Sequence, residues 1–340
     1  MPRTLPSEEA PCSSTSRESV RLEISSRSYA TNREFALAAA VVFDEFGGPE
    51  VLRLVEVPEP EPGPGEVRVR VRAAGVNAVD CKIRRGEFSG GRPAAPGSTL
   101  GNEFAGVVEL TGADVTGVSA GDEVLGFASA AAYTESLVVP ADQLVAKPSG
   151  LSWEVAGALS AVGQTAYNSL QELKVAPGET LLVHAAAGGV GTMAVQLARL
   201  AGVTVIGTAS EGNHAYLRSL GAIPVSYGDG LQQRVRELAP NGVDAALDCI
   251  GGAAIEVSVA LVADRDRIGT IVDQRLAEKF GIRRLRGTRS AETLGRIAWQ
   301  VAAGELVVPV WKAFPLAEAA SAHREVETGH VRGKVVLVMD

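Results

Sequence analysis

The sequence predicts an α/β protein in which a doubly wound parallel sheet is joined to a second, strongly bent β-barrel-like lobe. Three observations carry this. Strand-like stretches run from Ala38 to about residue 150, strands and helices alternate after it, and a glycine-rich bend links the first alternating strand to its helix. Alternation of that kind implies parallel strands covered by helices on both faces.

Residues 1–36 stand apart: they are Ser, Arg, Glu and Pro with few large apolar side chains, the composition of a disordered extension. A transit peptide is poor in acids, whereas this stretch carries Glu8, Glu9, Glu18, Glu23 and Glu34. In "EVRVRVRAAG", Val67, Val69 and Val71 alternate with Arg68, Arg70 and Arg72, a period of two that puts the valines on one face of a strand. "VPEPEPGPGE" before it is too rich in Pro and Gly for a regular element and reads as an exposed connector. "AGVVELTGADVTGVSAGDEVLGF" continues with short apolar runs broken by Gly and Asp, the texture of a compact barrel-like lobe.

Near residue 150 the pattern turns helical. "LSWEVAGALSAVGQTAYNSLQEL" has Ser152 as N-cap and Glu154 in the first turn. Strand "TLLVHA", helix "VGTMAVQLARLAG", strand "VTVIGT" and helix "NHAYLRSLGA" follow. A short strand around Val225, helix "LQQRVRELA", strand "VDAALDCI", helix "AAIEVSVALVA" and strand "RIGTIVD" continue the series. The last stretch, from Val307, gives strand, helix and strand and returns to complete the first lobe. The expected division is therefore 37–157 with 301–340 for the barrel lobe and 158–300 for the sheet lobe.

A chain of 340 residues with 46% hydrophobic and 21% charged residues is long enough for two domains and ordinary for a globular protein. Its net charge of -8 argues against a nucleic-acid or anionic-membrane partner, each of which rewards a basic face. No apolar run approaches the roughly 20 residues that span a bilayer. Cys12, Cys81 and Cys249 are too scattered for a disulfide framework or a four-thiolate zinc site, which suits a reducing, cytoplasmic setting.

The chemical signal is "LLVHAAAGGVGTMAVQLARLAGVTVIGTAS". A buried strand runs into Ala186-x-Gly188-x-x-Gly191 and straight into a helix, so Gly188, Gly189, Val190 and Gly191 are expected to present helix N–H groups to a pyrophosphate. Ala186 replaces the first glycine of the usual dinucleotide fingerprint. An NAD site has a carboxylate at the end of the second strand; here Ala209 and Ser210 stand there. That favours NADP(H), with Ser210, Asn213, His214, Arg218 and Tyr227 as candidate partners of a 2′-phosphate and Glu211 tolerable only if it faces solvent.

From Ala38 to Asp340 the chain resembles the medium-chain dehydrogenase/reductase superfamily in its zinc-independent quinone oxidoreductase branch, the zeta-crystallin-like group. "FDEFGGPEVL", "AAGVNAVDCKIRRG", "GNEFAGVV", "GDEVLGF", "VHAAAGGVG", "FPLAEAASAH" and "GHVRGKVVL" carry the likeness; "VHAAAGGVG" is also similar to enoyl-reductase domains of polyketide and fatty-acid synthases. The resemblance implies a Rossmann nucleotide-binding sheet, a GroES-like catalytic lobe and a homodimer formed through the edge stretch 280–287. Zinc-dependent relatives have Cys and His where this chain has Asn77 and Asn102, and amides are poor zinc ligands, so no metal is expected. The same match implies Asn77 for orienting a carbonyl and the cofactor ribose, and Asp80 for holding the loop or relaying a proton. Lys82, or a water, is then the candidate proton donor, because Phe88 stands where some relatives have a tyrosine. Thr165, Cys249, Ile250, Gly251, Ile271, Val272, Arg332 and Lys334 are implied as further cofactor contacts. A small quinone or enone is the implied substrate. An enoyl-thioester reductase and a nucleotide-bound regulator without turnover are the alternatives.

Overall fold

The computed structural model describes residues 36–339. Cys12 and all of the expected extension but Ala36 lie outside the described residues.

The first lobe is built from β1 (Leu37–Phe43), β2 (Arg53–Pro58), β3 (Glu66–Val76), β4 (Ser98–Thr99), β5 (Glu103–Thr111), β6 (Glu123–Phe127), β7 (Ser136–Pro140) and β8 (Leu144–Ala146), with helix α1 (Ala78–Arg84) after β3. Val67, Val69 and Val71 are fully buried, as their alternation predicts. The arginines opposite them meet carboxylates: Arg68 Nη2 lies 3.2 Å from Glu59 and Arg70 Nε 2.6 Å from Glu109. β2 claims Val57 and Pro58 from the stretch read as irregular. Its outer place in the order β2-β1-β4 tolerates a proline.

Helices α2 (Trp153–Gly157) and α3 (Leu159–Glu172) follow, where the sequence pattern suggests a single helix. Ser152 caps the first by accepting from the Val155 N–H. The break follows Gly157, which packs so closely on β3 that a Cβ there would fall 2.6 Å from the Ala73 carbonyl oxygen.

The second lobe holds β9 (Thr180–Val183), β10 (Thr204–Ala209), β11 (Ile223–Ser226), β12 (Ala245–Asp248), β13 (Ile268–Thr270) and β14 (Arg283–Arg284). Between them run α4 (Gly189–Leu200), α5 (His214–Ser219), α6 (Leu231–Leu238), α7 (Ala253–Leu261) and α8 (Gln274–Phe280). All pairings are parallel, in the order β11-β10-β9-β12-β13-β14. The chain steps outward from β9 to β11 and then returns past β9 to β12. That reversal opens a crevice at the carboxyl ends of the strands, where ligands of such sheets bind. β14 is an edge strand, though its arginines turn back on their own chain: Arg283 Nε donates to the Asp266 carbonyl at 2.8 Å and Arg284 Nη1 to that of Thr270 at 3.1 Å.

After α9 (Ala291–Ala302), β15 (Val310–Pro315), α10 (Ala319–Glu327) and β16 (Lys334–Val338) return to the first lobe. β16 pairs antiparallel with β3, setting Val336 opposite Gly75, in the sheet β15-β16-β3-β5-β6-β8. Among the described residues no helix is long and apolar enough to cross a membrane.

Candidate active site

The bend between β9 and α4 is fixed by backbone sterics. Ala185 takes a left-handed φ of 54°, and the Gly188 N–H donates to its carbonyl at 3.0 Å. A Cβ on Gly191 would fall 2.4 Å from the Ala185 oxygen, so only glycine lets α4 begin this close to the turn. A Cβ on Gly188 would touch only that oxygen, at 3.3 Å, and otherwise meet open space. Gly188 is the N-cap and has no side chain to satisfy the first amides of α4, which are left for an anion. Ala186 is fully buried beneath them.

A cavity of about 1130 Å³ opens beside this turn. Of the residues picked from sequence, Gly188, Ser210, Asn213, Tyr227, Ile250 and Gly251 line it. Asn213 Nδ2 donates to Ser210 Oγ at 3.3 Å, leaving the Ser210 hydroxyl proton for another acceptor. Asp248, fully buried, steadies the far wall: its carboxylate accepts from the Gly251 N–H at 2.9 Å and the Thr270 hydroxyl at 2.6 Å. Glu211 is exposed to solvent.

The structure places the other candidates away from this cavity's lining. Arg218 is exposed and away from this cavity, and His214 is occupied by Ser226, whose Oγ lies 3.4 Å from Nε2. Both sit on the six-residue α5, whereas α6 lines the cavity with Gln232, Gln233 and Arg236. Thr165, Cys249, Ile271 and Val272 are half-buried and outside the lining; Ile271 packs on the core, and burial pushes the Cys249 thiol up. Val190 is half-buried in the first turn of α4. Arg332 lies over the Tyr216 and Trp311 rings, 5.1 and 5.8 Å from their centroids.

Asn77, Lys334 and Glu103 form a second constellation beneath the turn. Lys334 is nearly fully buried rather than reaching into open cleft, because its Nζ donates to Glu103 Oε1 at 2.8 Å, to the Val76 carbonyl at 3.3 Å and to Asn77 Oδ1. Asn77 Nδ2 in turn donates to Glu103 Oε1 at 3.0 Å. The other Glu103 oxygen accepts from the Ala161 N–H at 2.6 Å, in the first turn of α3, where a helix favours negative charge. Gly189 presses on the same group, since a Cβ there would meet Lys334 Cδ at 3.1 Å. The Gly333 N–H donates to the Ala187 carbonyl at 3.1 Å, stitching the two lobes together. Sequence reading missed Glu103; an acid inside the apolar run after "GN" was its only signal.

Asp80 sits where the loop-holding role puts it. It is fully buried, accepting from the Asn77 N–H at 2.9 Å, Asn102 Nδ2 at 2.7 Å and the Tyr133 hydroxyl at 3.2 Å, so it holds the loop. Burial raises its pKa to about 6, against the pull of the Asn77 N–H. Lys82 is half-buried, with no side-chain hydrogen bond among the described residues, and Phe88 is exposed.

Behind Asp80, His323 is buried with Nε2 3.3 Å from the Tyr133 hydroxyl and Nδ1 3.1 Å from Arg84 Nη1. Burial, and then the Arg84 charge, hold its pKa down at about 3 instead of 6.5. The unfolded chain therefore takes up a proton at this residue well before the folded one, and the stability present above pH 6.5 is lost as pH falls towards 3. Asp80 works the other way, losing stability as pH rises through about 6, but its displacement is smaller. His184, held down at about 4 by burial, adds to the His323 trend. The thermal midpoint should fall between about pH 7 and about pH 5, and His323→Gln should flatten that slope. An unchanged slope in the variant would exclude His323 as its source.

As for a metal, Asn77 and Asn102 offer amides at the lobe junction, and Cys81 is turned inward with its Sγ 3.5 Å from His323 Nδ1. Burial raises that thiol to about 12. Among the described residues no three of His, Cys, Asp and Glu are grouped to hold an ion.

Comparison with known proteins places these features. Residues 63–149 match the model described as alcohol dehydrogenase GroES-like domain, and residues 220–337 match that described as zinc-binding dehydrogenase. A quinone oxidoreductase of Pseudomonas aeruginosa is 35% identical over 89% of this chain and 100% of its own length. A phenolphthiocerol synthesis polyketide synthase of Mycobacterium marinum is 40% identical over 56% of this chain, which spans only 9% of that protein. Among solved structures, the Escherichia coli quinone oxidoreductase complexed with NADPH superposes with a TM-score of 0.79 at 28% identity, covering 88% of this chain and 100% of that one.

Proposed function

The chain belongs to the medium-chain dehydrogenase/reductase superfamily, alongside the quinone oxidoreductases, and from that footing we propose that it reduces a quinone or an α,β-unsaturated carbonyl compound with NADPH, without a zinc ion. The observation that carries the proposal is the start of β16, where the Gly333 N–H donates to the Ala187 carbonyl of the phosphate-binding bend at 3.1 Å and the adjoining Lys334 donates to Asn77 Oδ1. It joins a dinucleotide cradle to a polar amide at the lobe junction, as hydride transfer between two bound molecules needs.

NADPH, when bound, supplies the hydride. The amides opening α4 hold its pyrophosphate, with Gly188, Gly189 and Gly191 giving the backbone room. Ser210, Asn213 and Tyr227 meet the phosphate that distinguishes it from NADH. Asn77, fixed by Lys334 and Glu103, orients the ribose and the substrate; Asp80 is a positioning residue that holds the Asn77 loop. Residues 37–157 with 301–340 form the catalytic domain and 158–300 the nucleotide-binding domain, in a cytoplasmic homodimer.

The test is NADPH oxidation with 1,2-naphthoquinone, an enone aldehyde and crotonyl-CoA in parallel. Turnover of the quinone or the enone supports the reading, and NADPH binding without turnover of any of them refutes it. Preference for crotonyl-CoA would favour an enoyl-thioester reductase, the reading suggested by likeness to a polyketide synthase segment. Ser210→Asp should weaken NADPH binding about tenfold or more, because it sets a carboxylate against the 2′-phosphate. Unchanged affinity would displace Ser210 from that role.

A further inference from the structure

Arg289 enters the lobe junction from the sheet lobe. It stands between β14 and α9, on a turn pinned on both sides: the Ser290 N–H donates to Gln164 Oε1 at 2.7 Å, and Ser290 Oγ caps α9 by accepting from Thr293 at 3.2 Å. From there the side chain crosses to the catalytic lobe. Its guanidinium lies 5.0 Å from the centroid of the Phe127 ring, and Nη1 donates to the Asn102 carbonyl at 2.8 Å. Asn102 directly precedes Glu103 and holds Asp80, so Arg289 stands beside the Asn77 constellation.

Charge bookkeeping leaves this cation over. Glu103 is already balanced by Lys334, and Asp80 is held by three donors. Arg289 has no carboxylate partner among the described residues, and only one of its five N–H groups is used there. An arginine half-buried against an aromatic face, with donors to spare, is built to receive an oxygen that gains negative charge.

We propose that Arg289 binds the carbonyl oxygen of the substrate and stabilises it as an oxyanion. This rests on the function proposed above. When hydride forms a bond to the carbon β to the carbonyl, the carbon–carbon π bond breaks and its electron pair passes to the oxygen as an enolate or, from a quinone, a phenolate. The substrate is reduced and the cofactor oxidised, Arg289 N–H groups hold the oxyanion, and water returns the proton. The site therefore selects molecules whose reducible carbon is conjugated to an exposed oxygen acceptor.

The test uses the full chain saturated with NADP⁺ and para-nitrophenol as a probe of the developing oxyanion, with phenolate absorbance as readout. Bound probe should titrate about one pH unit or more below free probe in the parent protein. Arg289→Gln should abolish that shift, and Arg289→Lys should keep part of it. With 1,2-naphthoquinone, kcat/KM should fall about 100-fold in Arg289→Gln while NADPH affinity and thermal midpoint hold. If the Gln variant does not fold, the Lys variant, which keeps the charge but loses the fork, must still lower kcat/KM. A parent protein that leaves the probe's titration unmoved, or a folded Gln variant with parent-like shift and kcat/KM, overturns the proposal and leaves Arg289 a staple between lobes. Failure of the parent protein to bind NADPH would instead sink the functional reading itself.

Discussion

Gly191→Val is expected to abolish measurable binding of either nicotinamide dinucleotide and to lower stability by roughly 3 kcal/mol. A Cβ at this position would lie 2.4 Å from the Ala185 oxygen and 2.6 Å from the Ala186 Cα, and both are backbone atoms that cannot rotate away. Relief requires α4 to withdraw from β9, which moves the amides that would meet the pyrophosphate. Gly188→Ala is the natural control. Its methyl group would meet only one oxygen, at 3.3 Å, so the fold should tolerate it, whereas the open space it enters is where the anion must approach. Calorimetry and NADPH fluorescence separate the two effects: Gly191→Val should lose both stability and binding, Gly188→Ala mainly binding. Parent-like affinity in Gly191→Val would show that the bend is not the phosphate site.

That contrast marks what was legible in the sequence. Glycine spacing is read directly from the chain, because a backbone bend is a local property. So is the alternation of Val67, Val69 and Val71, and so is the strand–helix rhythm that yields the parallel sheet with its reversal between β9 and β12. Asn77 in "GVN" and Asn102 in "GNEF" were legible only through the family resemblance, not through any local pattern. Side chains that meet across the fold were not legible. Lys334 and Glu103 are 231 positions apart, and neither has a local pattern that names the other. His214 and Arg218 are close to Ser210 in sequence, yet the short α5 carries Arg218 into solvent and His214 against Ser226, while α6 lines the cavity with Arg236. Arg289 reads as one of several basic residues in "RRLRGTRSAE" until the turn before α9 aims it at Asn102. Ionic partners belong to topology; sequence alone supplies only the candidates.

The second large effect concerns that ion pair. Lys334→Met should destabilise the protein by about 3–5 kcal/mol, since it leaves the fully buried Glu103 carboxylate without its counter-charge. Glu103→Gln should be comparably costly, stranding an ammonium among the Val76 carbonyl and the Asn77 amide oxygen. The double variant should recover most of the loss, because a neutral pair of similar size removes both desolvation terms. Its activity should not recover with its stability. Asn77 keeps a partner only if an acceptor faces Nδ2 and a donor faces Oδ1, and the methionine offers no donor. Urea unfolding of all four proteins gives the coupling energy, and kcat against KM in the stable double variant isolates the loss of Asn77 orientation. If the double variant regained both stability and full turnover, Lys334 and Glu103 would be packing elements alone, and the link from the phosphate-binding bend to Asn77 would carry no catalytic weight.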